Sequence, residues 1–405
     1  MQLVVNSKAS HAGQDPAQMR TEPLAVDIAV VGGGPTGMTA ALAAAKAGWR
    51  VALIAPDGER DPRTTALLMP SIAVLAELGV WPAAEPHAAP LATMRLVDAT
   101  GRVPRAPEIA FDAHEVDLDQ FGFNIANVDL NAAIAAQLDR AGVIRLREPA
   151  EHFQPGAPAV VRVPSGTVEA GLVVAADGAQ SLIRSDAGIG LRAWQYDQSA
   201  FVTVLAHERP HGDTSTEFHT AAGPFTLVPL PGNRSSLVWV CRPEDAERYH
   251  AMDPGPLARA IEAQAHRILG HMRIDGPRGV IPMKGSVARR FGSGRVVLVG
   301  EAAHRFPPIG AQGLNLGIRD VAALQRVLAR AKEDGTLAGA ADRYDAERRL
   351  DVGLRTLGVD LLNRSLLSGL LPVTILRTLG LSAARGIGPV RRTLMRFGLG
   401  ARGTA

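Results

Sequence analysis

The stretch VDIAVVGGGPTGMTAALAAAKAG, residues 26–48, decides the fold class of this chain. Its first six residues form an apolar run that predicts a buried strand, which ends in a tight turn at Gly32. An alanine-rich helix without internal breakers follows and ends at Gly48, and residues 51–55 (VALIA) predict a second buried strand. A strand–helix–strand unit of this kind closes with a crossover, so we expect the two strands to lie parallel in an α/β sheet.

The turn between the first strand and the helix carries the pattern G-x-G-x-x-G at Gly32, Gly34 and Gly37. Gly32 permits the tight turn, Gly34 lets a pyrophosphate approach the backbone, and Gly37 allows the helix to pack closely on the strand. The helix N-terminus adds free N–H groups and a partial positive charge. In this context the pattern predicts a dinucleotide site, and a glycine-rich turn without a ligand is the alternative.

The acid that usually holds the ribose of a dinucleotide is missing from the end of the second strand. Such an acid follows the first glycine by roughly 20 residues, but here the strand ends in Ile54-Ala55-Pro56, with Asp57 and Glu59 slightly later. Either Asp57 replaces it from the loop, or water and backbone hold the ribose. An ordinary turn residue is an equally good interpretation of Asp57.

Two further predicted strands end in turns that carry chemical groups. Residues 173–176 (VVAA) lead into Asp177-Gly178, which by itself is a common turn, but stands where α/β sheets bind ligands. Residues 294–299 lead into Gly300-Glu301, followed by a Pro/Gly-rich loop and a helix N-terminus suited to stabilising negative charge on a ring. His304 is predicted to be a packed structural residue, because no partner is spaced along the chain for a catalytic triad.

Parallel α/β segments alternate with segments that resemble antiparallel strands. The simplest organisation is one nucleotide-binding domain built from residues 24–90, 126–190 and 283–350. A mostly antiparallel substrate domain then occupies residues 91–125 and 191–282. Residues 351–405 predict a helical C-terminal region, and residues 1–23 predict a disordered tail.

The composition of the 405-residue chain excludes several classes of protein. A single cysteine, Cys241, rules out an intrachain disulfide and a multi-cysteine metal site, which fits a reducing compartment. Neither H-E-x-x-H nor C-x-x-C occurs, so we expect no metal. A net charge of +3 with 4% aromatic residues argues against a nucleic-acid partner. No apolar run reaches about 18 residues, so we expect a cytoplasmic protein without a transmembrane helix.

In this order and spacing, the three glycine-centred motifs resemble those of the flavin-dependent aromatic hydroxylases of the p-hydroxybenzoate hydroxylase fold. The resemblance extends from residue 25 to about residue 400 and is greatest to the ubiquinone-biosynthesis hydroxylases. The segments that carry it are residues 63–67 (RTTAL), 78–81 (LGVW), 229–239 (PLPGNRSSLVW), 300–320 and 360–364 (DLLNR).

The resemblance implies a Rossmann-type FAD domain with an inserted substrate domain, and reduction of the bound FAD by NADPH or NADH before O2 reacts. The implied cofactor-binding residues are Gly32, Gly34, Gly37, Arg63, Asn127, Asp177, Gly178, Gly300, Glu301, Pro308, Gly313, Leu314 and Asn315. Among them, Pro308 and Gly313 would line the flavin ring. Glu301 stands where the family has aspartate, so we expect FAD binding to be retained with altered geometry.

No general base for a phenol substrate can be identified from the sequence. The histidines of the substrate domain, His207, His211 and His219, are each predicted to be surface or turn residues. The flavin itself supplies the chemistry in such enzymes, which explains why no nucleophile or metal cluster is needed.

The leading hypothesis is an FAD monooxygenase that hydroxylates a polyprenylated ubiquinone precursor. The alternatives are a hydroxylase of a small soluble aromatic compound and a flavin-less scaffold subunit of a biosynthetic complex. Residues 355–405 contain eight arginines and one acid, a net +7, so residues 1–354 carry a net −4. This basic and apolar tail predicts either contact with an anionic membrane surface, and with other ubiquinone-synthesis proteins there, or packing on its own domain.

Overall fold

The computed structural model describes residues 22–58, 61–101, 107–307, 312–349 and 351–353, together with Arg392 and Met395. Most of the predicted tail at residues 1–23, most of the predicted C-terminal region and Pro308 lie outside these residues. Within the described part of the chain, no helix is both long enough and apolar enough to span a bilayer.

The first sheet has eight strands, and strands are numbered here along the whole chain. Its members are β1 (Leu24–Val31), β2 (Val51–Ile54), β8 (Ile144–Leu146), β9 (His152–Gln154), β10 (Ala159–Val163), β11 (Gly166–Ala175), β18 (Gly292–Ser293) and β19 (Val296–Leu298). The order is β18-β19-β11-β1-β2-β8, and β10 and β9 extend from β11 as an antiparallel ribbon. The strands β19, β11, β1, β2 and β8 are parallel, and for β1 and β2 this is the arrangement that residues 26–55 predict.

The second sheet has nine strands in the order β20-β17-β12-β15-β14-β13-β5-β6, with β16 beside β12. They are β5 (Thr93–Asp98), β6 (Ile109–Asp112), β12 (Leu191–His207), β13 (Thr214–His219), β14 (Pro224–Leu230), β15 (Arg234–Cys241), β16 (Met272–Ile274), β17 (Gly279–Ala288) and β20 (His304–Arg305). All pairs are antiparallel except β5 with β13. The third sheet is β3 (Thr64–Leu68), β7 (Gly122–Ala126) and β4 (Ala88–Leu91), in that order.

Eight helices have both ends within the described residues. They are α1 (Pro35–Lys46), α2 (Met69–Glu77), α3 (Trp81–Ala84), α4 (Asn127–Arg140), α5 (Leu182–Asp186), α6 (Pro243–Ala251), α7 (Pro254–Gln264) and α8 (Gln312–Glu333). Residues 340–349 and 351–353 are also helical, and short 3₁₀ turns occur at Glu85–His87, Ala113–Val116 and Gly300–Ala302. The α/β fold class with a mostly antiparallel second sheet is therefore confirmed.

The largest core forms around the first sheet. Strand β1 is buried from Ile28 to Val31, and every residue of α1 from Gly37 to Ala44 is buried as well. Such a helix is enclosed on all sides, and its small side chains let α4 and α8 approach it closely. Each fully buried Ile or Leu contributes roughly 1.5–3 kcal/mol, so this core anchors the strand ends that follow.

The second sheet has two unlike faces. On one face, Phe201, Phe225 and Trp239 pack in a single cluster with Leu257 and Ile261 of α7, and the Phe225 and Trp239 ring centroids are 5.1 Å apart. The other face contacts the third sheet. Side chains alternate along a strand, so each strand contributes to both faces.

Two strand positions refine the predicted organisation. Strand β17 runs continuously through the boundary that the sequence pattern placed at residue 283, so its residues on both sides of that position pair with β12. Strand β5, predicted in an antiparallel-looking segment, is antiparallel to β6 but parallel to β13. Both features depend on pairing between distant segments, which local alternation does not specify.

We expect the thiol of Cys241 to be unreactive in the folded protein. It is buried at the end of β15, and this burial, with smaller contributions from Asp245 and Glu244, raises its pKa to about 12. Because the thiolate is the nucleophile, iodoacetamide at pH 8 should leave native protein unmodified by mass spectrometry, whereas unfolded protein should take up one label. Rapid labelling of the native protein would contradict this burial.

Candidate active site

Three neighbouring parallel strands of the first sheet end in register. Leu298 of β19 pairs with Ala175 of β11, which pairs with Val31 of β1. The three glycine-centred turns begin directly after these residues, although more than 100 positions separate one from the next along the chain. The register therefore brings all three motifs to one edge of the sheet, where open α/β sheets bind ligands.

Two glycines of the first motif let backbone segments touch. Gly32 has a φ of +120°, and a Cβ there would collide with the carbonyl oxygen of Ala176. A Cβ on Gly37 would collide with the carbonyl oxygen of Gly32. These contacts fit the turn and packing roles expected from the pattern, and they bring the first turn against the Asp177 turn.

Other backbone positions at the same edge are open. At Gly34, Gly178 and Gly313, a Cβ would meet no heavy atom of the described residues within 4 Å. Gly34 is the N-cap of α1 and provides no side-chain cap, so the first-turn N–H groups of α1 have no intrahelical partner. Together these positions form an open cradle with N–H donors, which is what a pyrophosphate and a flat ring need.

Asp177 is poised to accept a further hydrogen bond. Its Oδ2 accepts one from the backbone N–H of Ile183 at 3.2 Å, whereas its buried Oδ1 has no hydrogen-bond partner among the described residues. A buried carboxylate oxygen without a donor costs about 1–3 kcal/mol or more. A ligand hydroxyl or N–H at this edge would therefore be well matched to Asp177.

Arg63 and Asn127, predicted from distant segments, meet through Asp61. The Arg63 Nη2 lies 2.7 Å from Asp61 Oδ2, and the Asn127 Nδ2 donates to the same oxygen at 2.8 Å. Thr65 donates its hydroxyl to Asn127 Oδ1 at 2.6 Å. The hydrogen bond to Asp61, and to a lesser extent the negative charge of Glu301, raise the pKa of Arg63. The sequence pattern missed Asp61, whose only signal is its position two residues before Arg63.

Asp57 and Glu301, the two residues at which the sequence departs from the expected pattern, are both exposed. Asp57, which follows β2, forms an exposed ion pair with Arg147 at 3.2 Å. Glu301 is exposed in the turn after β19. A ribose-binding role of Asp57 stays a prediction, and it would require the carboxylate to exchange its contact with Arg147 for one with the ligand.

A buried carboxylate fixes the turn that carries Glu301. Asp320 of α8 accepts hydrogen bonds from the backbone N–H of Gly300 at 2.8 Å, from His304 Nε2 at 2.7 Å and from Arg348 Nε at 2.8 Å. Asp320, His304 and Arg348 are at most 3% exposed. His304 thus packs and hydrogen-bonds at this turn, as predicted. Asp320 ends the 300–320 segment that carries the resemblance, but the sequence analysis gave no role to it or to Arg348.

The charge of Asp320 depends on its neighbours. Burial alone would raise its pKa, but the charges of His304 and Arg348, with the hydrogen bonds from His304 and Gly300, lower the pKa below its usual 3.8. The ionised carboxylate therefore stabilises the folded chain at pH values above 3.8, the usual pKa of an aspartate. This contribution is lost as the pH falls through the lower pKa of the folded state.

The Thr36 side chain of the first motif packs against Gly300 and Gly317 of the third motif. A Cβ added to Gly317 of α8 would lie 2.5 Å from Thr36 Oγ1, and one added to Gly300 would lie 3.2 Å from it. Two glycines that are distant in sequence from Thr36 therefore make room for the same side chain. This contact sets how closely the α1 N-terminus, α8 and the Gly300 turn approach one another.

Asn315 joins α8 to the third sheet. Its Oδ1 accepts from the backbone N–H of Leu68 at 2.9 Å, and its Nδ2 donates to the carbonyl oxygen of Ala66 at 2.8 Å. The side chain is 2% exposed, so it holds β3 rather than presenting its amide to open space. Leu314 is half-buried against the core and Gly313 is exposed.

The prediction of a surface or turn position is wrong for His219, which lies on β13 with its side chain 11% exposed, and for His207. His207 is 7% exposed, with Nδ1 2.8 Å from the carbonyl oxygen of Arg209 and Nε2 3.0 Å from Ser235 Oγ. Burial lowers its pKa. The residue lies at the end of β12, where pairing with β15 brings Ser235 close, and such a cross-strand partner is invisible in the local sequence.

Residues 25–354 match the family model described as an FAD binding domain. The chain is also 34% identical over 391 residues to the ubiquinone hydroxylase UbiL of Rhodospirillum rubrum, over 92% of this chain and 89% of that protein. The chain belongs to the ubiquinone-biosynthesis hydroxylase family of FAD-dependent aromatic hydroxylases. The resemblance inferred from the three motifs is thereby confirmed.

Further similarities of this hydroxylase agree with that assignment. It is 32% identical over 390 residues to the 3-demethoxyubiquinol 3-hydroxylase of Escherichia coli, over 92% of this chain and 98% of the relative. The structure of the p-nitrophenol 4-monooxygenase PnpA of Pseudomonas putida is similar with a TM-score of 0.77 at 20% identity, over 94% of this chain and 100% of that one. That likeness supports the fold alone.

The open edge of the hydroxylase fits FAD. The Gly34 backbone and the α1 N-terminus would hold the pyrophosphate, Asp177 Oδ1 would accept from a hydroxyl, and the N-terminal turn of α8 at Gly313 would face the ring. When bound, FAD takes hydride from NADPH or NADH and activates O2. The contribution of the protein is to hold the ring and to exclude water from it.

We expect Gly317→Ala to destabilise the hydroxylase by about 1–3 kcal/mol through the collision with Thr36. Helix propensity alone favours alanine by about 1 kcal/mol, so a loss of stability reports the collision. Adding Thr36→Ala should recover most of that loss, which urea unfolding of the double-mutant cycle would measure. Additive changes in the free energy of unfolding would contradict a direct contact between Thr36 and residue 317. Gly313→Ala, at an open position of the same helix, is the matched control.

We expect Asp320→Asn to cost about 3–5 kcal/mol, because it leaves Arg348 buried without a counter-charge. It should also weaken FAD binding, since the Gly300 turn loses its anchor. Denaturant unfolding and fluorescence titration with FAD would measure the two effects. The matched control is Asp342→Asn, which removes an exposed pair with Arg290 at 3.2 Å and should cost at most about 1 kcal/mol. Equal effects of the two substitutions would refute the anchoring role.

Proposed function

We propose that this enzyme hydroxylates the phenol ring of a polyprenylated ubiquinone precursor, using FAD, NADPH or NADH, and O2. The observation that carries the proposal is the similarity to ubiquinone hydroxylases along nearly the whole chain, at 34% and 32% identity. The cradle at the carboxyl edge supports it, because backbone at Gly34, Gly178 and Gly313 is open to a ligand within the described part of the chain. Among the predicted site residues, the proposal assigns FAD contacts to those at the open edge, whereas Asn315 holds β3.

The residues at the cradle have different roles in this proposal. Gly34, Gly178 and Gly313 give the cofactor access to backbone, and Asp177 accepts a hydrogen bond from it. Arg63, held by Asp61, provides a positive charge at the same edge for the phosphates of FAD or of the nicotinamide cofactor. Pro308 is proposed to line the flavin ring, and it lies outside the described residues.

A membrane surface is the proposed place of the reaction, because a polyprenyl chain partitions into the bilayer. The net +7 of residues 355–405 supports an attraction to anionic lipid on the cytoplasmic face. Other ubiquinone-synthesis proteins are the proposed neighbours there. A soluble small-aromatic hydroxylase would not need this charge.

The test is turnover by purified protein. It should be yellow with bound FAD, oxidise NADPH or NADH faster when a prenylated phenol is added, and yield a product heavier by one oxygen atom in mass spectrometry. Substrate presented in anionic vesicles should be turned over faster than in zwitterionic ones, with the difference lost at high salt. Turnover of an unprenylated phenol alone would favour the small-aromatic alternative, and colourless protein that cannot bind FAD would favour the scaffold.

A further inference from the structure

Ring hydroxylation of a phenol raises a proton-transfer problem that the cofactor site leaves unanswered. An ionised phenol donates more electron density to its ring, so a base near the phenolic oxygen speeds attack by an electrophilic oxygen. Beyond the cofactor site, the second sheet carries a histidine–carboxylate pair. The Nε2 of His219 lies 2.8 Å from Glu217 Oε1, and Thr226 donates its hydroxyl to Glu217 Oε2 at 3.3 Å.

The pair lies on the face of the second sheet opposite the cluster that packs against α6 and α7. Glu217 and His219 are two residues apart on β13, so they share a face. Phe218 between them points the other way, into the cluster that packs against α7, and its ring centroid is 5.7 Å from that of Phe225. Glu217 and His219 therefore point away from that cluster.

This face of the second sheet is tied to the cofactor side of the molecule by two asparagines. Asn315 donates to the carbonyl oxygen of Ala66, and Ala66 pairs with Asn124 of β7. The Nδ2 of Asn124 then donates to Ser236 Oγ at 3.1 Å. Ser236 lies on β15, two strands from Glu217. Neighbouring strands are about 4.8 Å apart, so the lateral distance from Ser236 to the pair is roughly 10 Å.

Apolar side chains lie between the cofactor side and the pair. Leu68, whose N–H is bonded to Asn315, packs in the same cluster as Phe111. Phe111 pairs with Met94, which is 40% exposed, and Met94 pairs with Ser215 on the strand that carries Glu217. Met94 and Val128 are the large apolar side chains that stay exposed in the described part of the chain. An exposed apolar surface beside a half-buried polar pair suits an aromatic ring with an apolar chain.

We propose that His219 is the base that removes the phenolic proton and that Glu217 is its positioning residue, a role that rests on the proposed function. The Glu217 carboxylate accepts from Nε2–H, so the neutral imidazole carries its lone pair on Nδ1. The phenolic O–H bond breaks, its electron pair stays on oxygen, and the proton passes to Nδ1. Glu217 stabilises the imidazolium, which returns the proton to that oxygen when the hydroxylated ring carbon loses its own proton to solvent.

The surroundings of the pair fit this role. The side chains of His219 and Glu217 are 11% and 21% exposed, so the pair is sheltered but reachable. Thr226 lies directly opposite Glu217 on β14 and fixes the second carboxylate oxygen. The positions of Glu217 and Thr226 are therefore set by the register of β13 and β14. This keeps the orientation of the His219 imidazole independent of loop movement.

The test compares two substrates in the holoenzyme, a prenylated phenol and a fluorinated analogue whose hydroxyl is already ionised at the assay pH. His219→Gln should lower kcat for the phenol by about 100-fold, with a much smaller loss for the ionised analogue and little change in KM. Glu217→Gln should show the same pattern at about 10-fold. Each variant is compared with wild type on the same substrate, so the altered reactivity of the fluorinated ring cancels.

Controls separate chemistry from folding. His152→Asn breaks a histidine–carboxylate pair of similar length, 2.9 Å to Asp186, on the first sheet and should leave both substrates unaffected. Thr216→Val alters a buried residue on the opposite face of β13 and reports damage to the strand. FAD absorption should match wild type in every variant. If His219→Gln does not fold, the isosteric Glu217→Gln carries the test.

Two results would overturn the assignment. An equal loss of kcat on both substrates with normal FAD content would make the pair structural, and an unchanged kcat for the phenol would make it irrelevant to the reaction. Failure of the proposed function looks different, because wild-type enzyme itself would then not hydroxylate the prenylated phenol.

Discussion

The shared register of β19, β11 and β1 is the constraint on which the rest of this enzyme depends. Parallel strands that end in one row place their following turns side by side, so three segments distant in sequence form one ligand edge. Glycines at this edge have opposite tasks. Gly32 and Gly37 let backbones touch, whereas Gly34 and Gly178 leave backbone open, and the same residue type therefore gives rigidity at some positions and access at others.

Buried polar contacts hold that edge to the remainder of the chain. Asp320 accepts hydrogen bonds from the Gly300 turn, from His304 and from Arg348. A turn at the cofactor edge is therefore fixed by α8, which starts at that edge. Removal of one partner from such a buried network leaves the others without a counter-charge, which explains why the loss is expected to be costly. Asn315 and Asn124 extend the connection through the third sheet to the second, which couples the cofactor side to the surface proposed for substrate.

Much of the fold, and the turns that meet at one edge of the first sheet, could be predicted because their signals are local. The apolar run before Gly32, the glycine spacing and the Asp177-Gly178 turn each report the conformation of a few adjacent residues. The roles of Asp61, Thr36 and Asp320 were missed because their partners lie far along the chain or, for Asp61, because an acid two residues before an arginine is common. His207 was misjudged for the same reason, since Ser235 comes next to it only through pairing of β12 with β15.

The sequence alone determined the α/β class, the dinucleotide-type turn and the family to which the chain belongs. Its local patterns depend on backbone preference and on the alternation of apolar residues, which neighbouring positions control. Only the tertiary structure decided that Asp61 joins Arg63 to Asn127, that Gly300 and Gly317 make room for Thr36, and that β5 runs parallel to β13. Those contacts arise from strand register and helix packing, which are settled when distant segments compete to bury their apolar faces together.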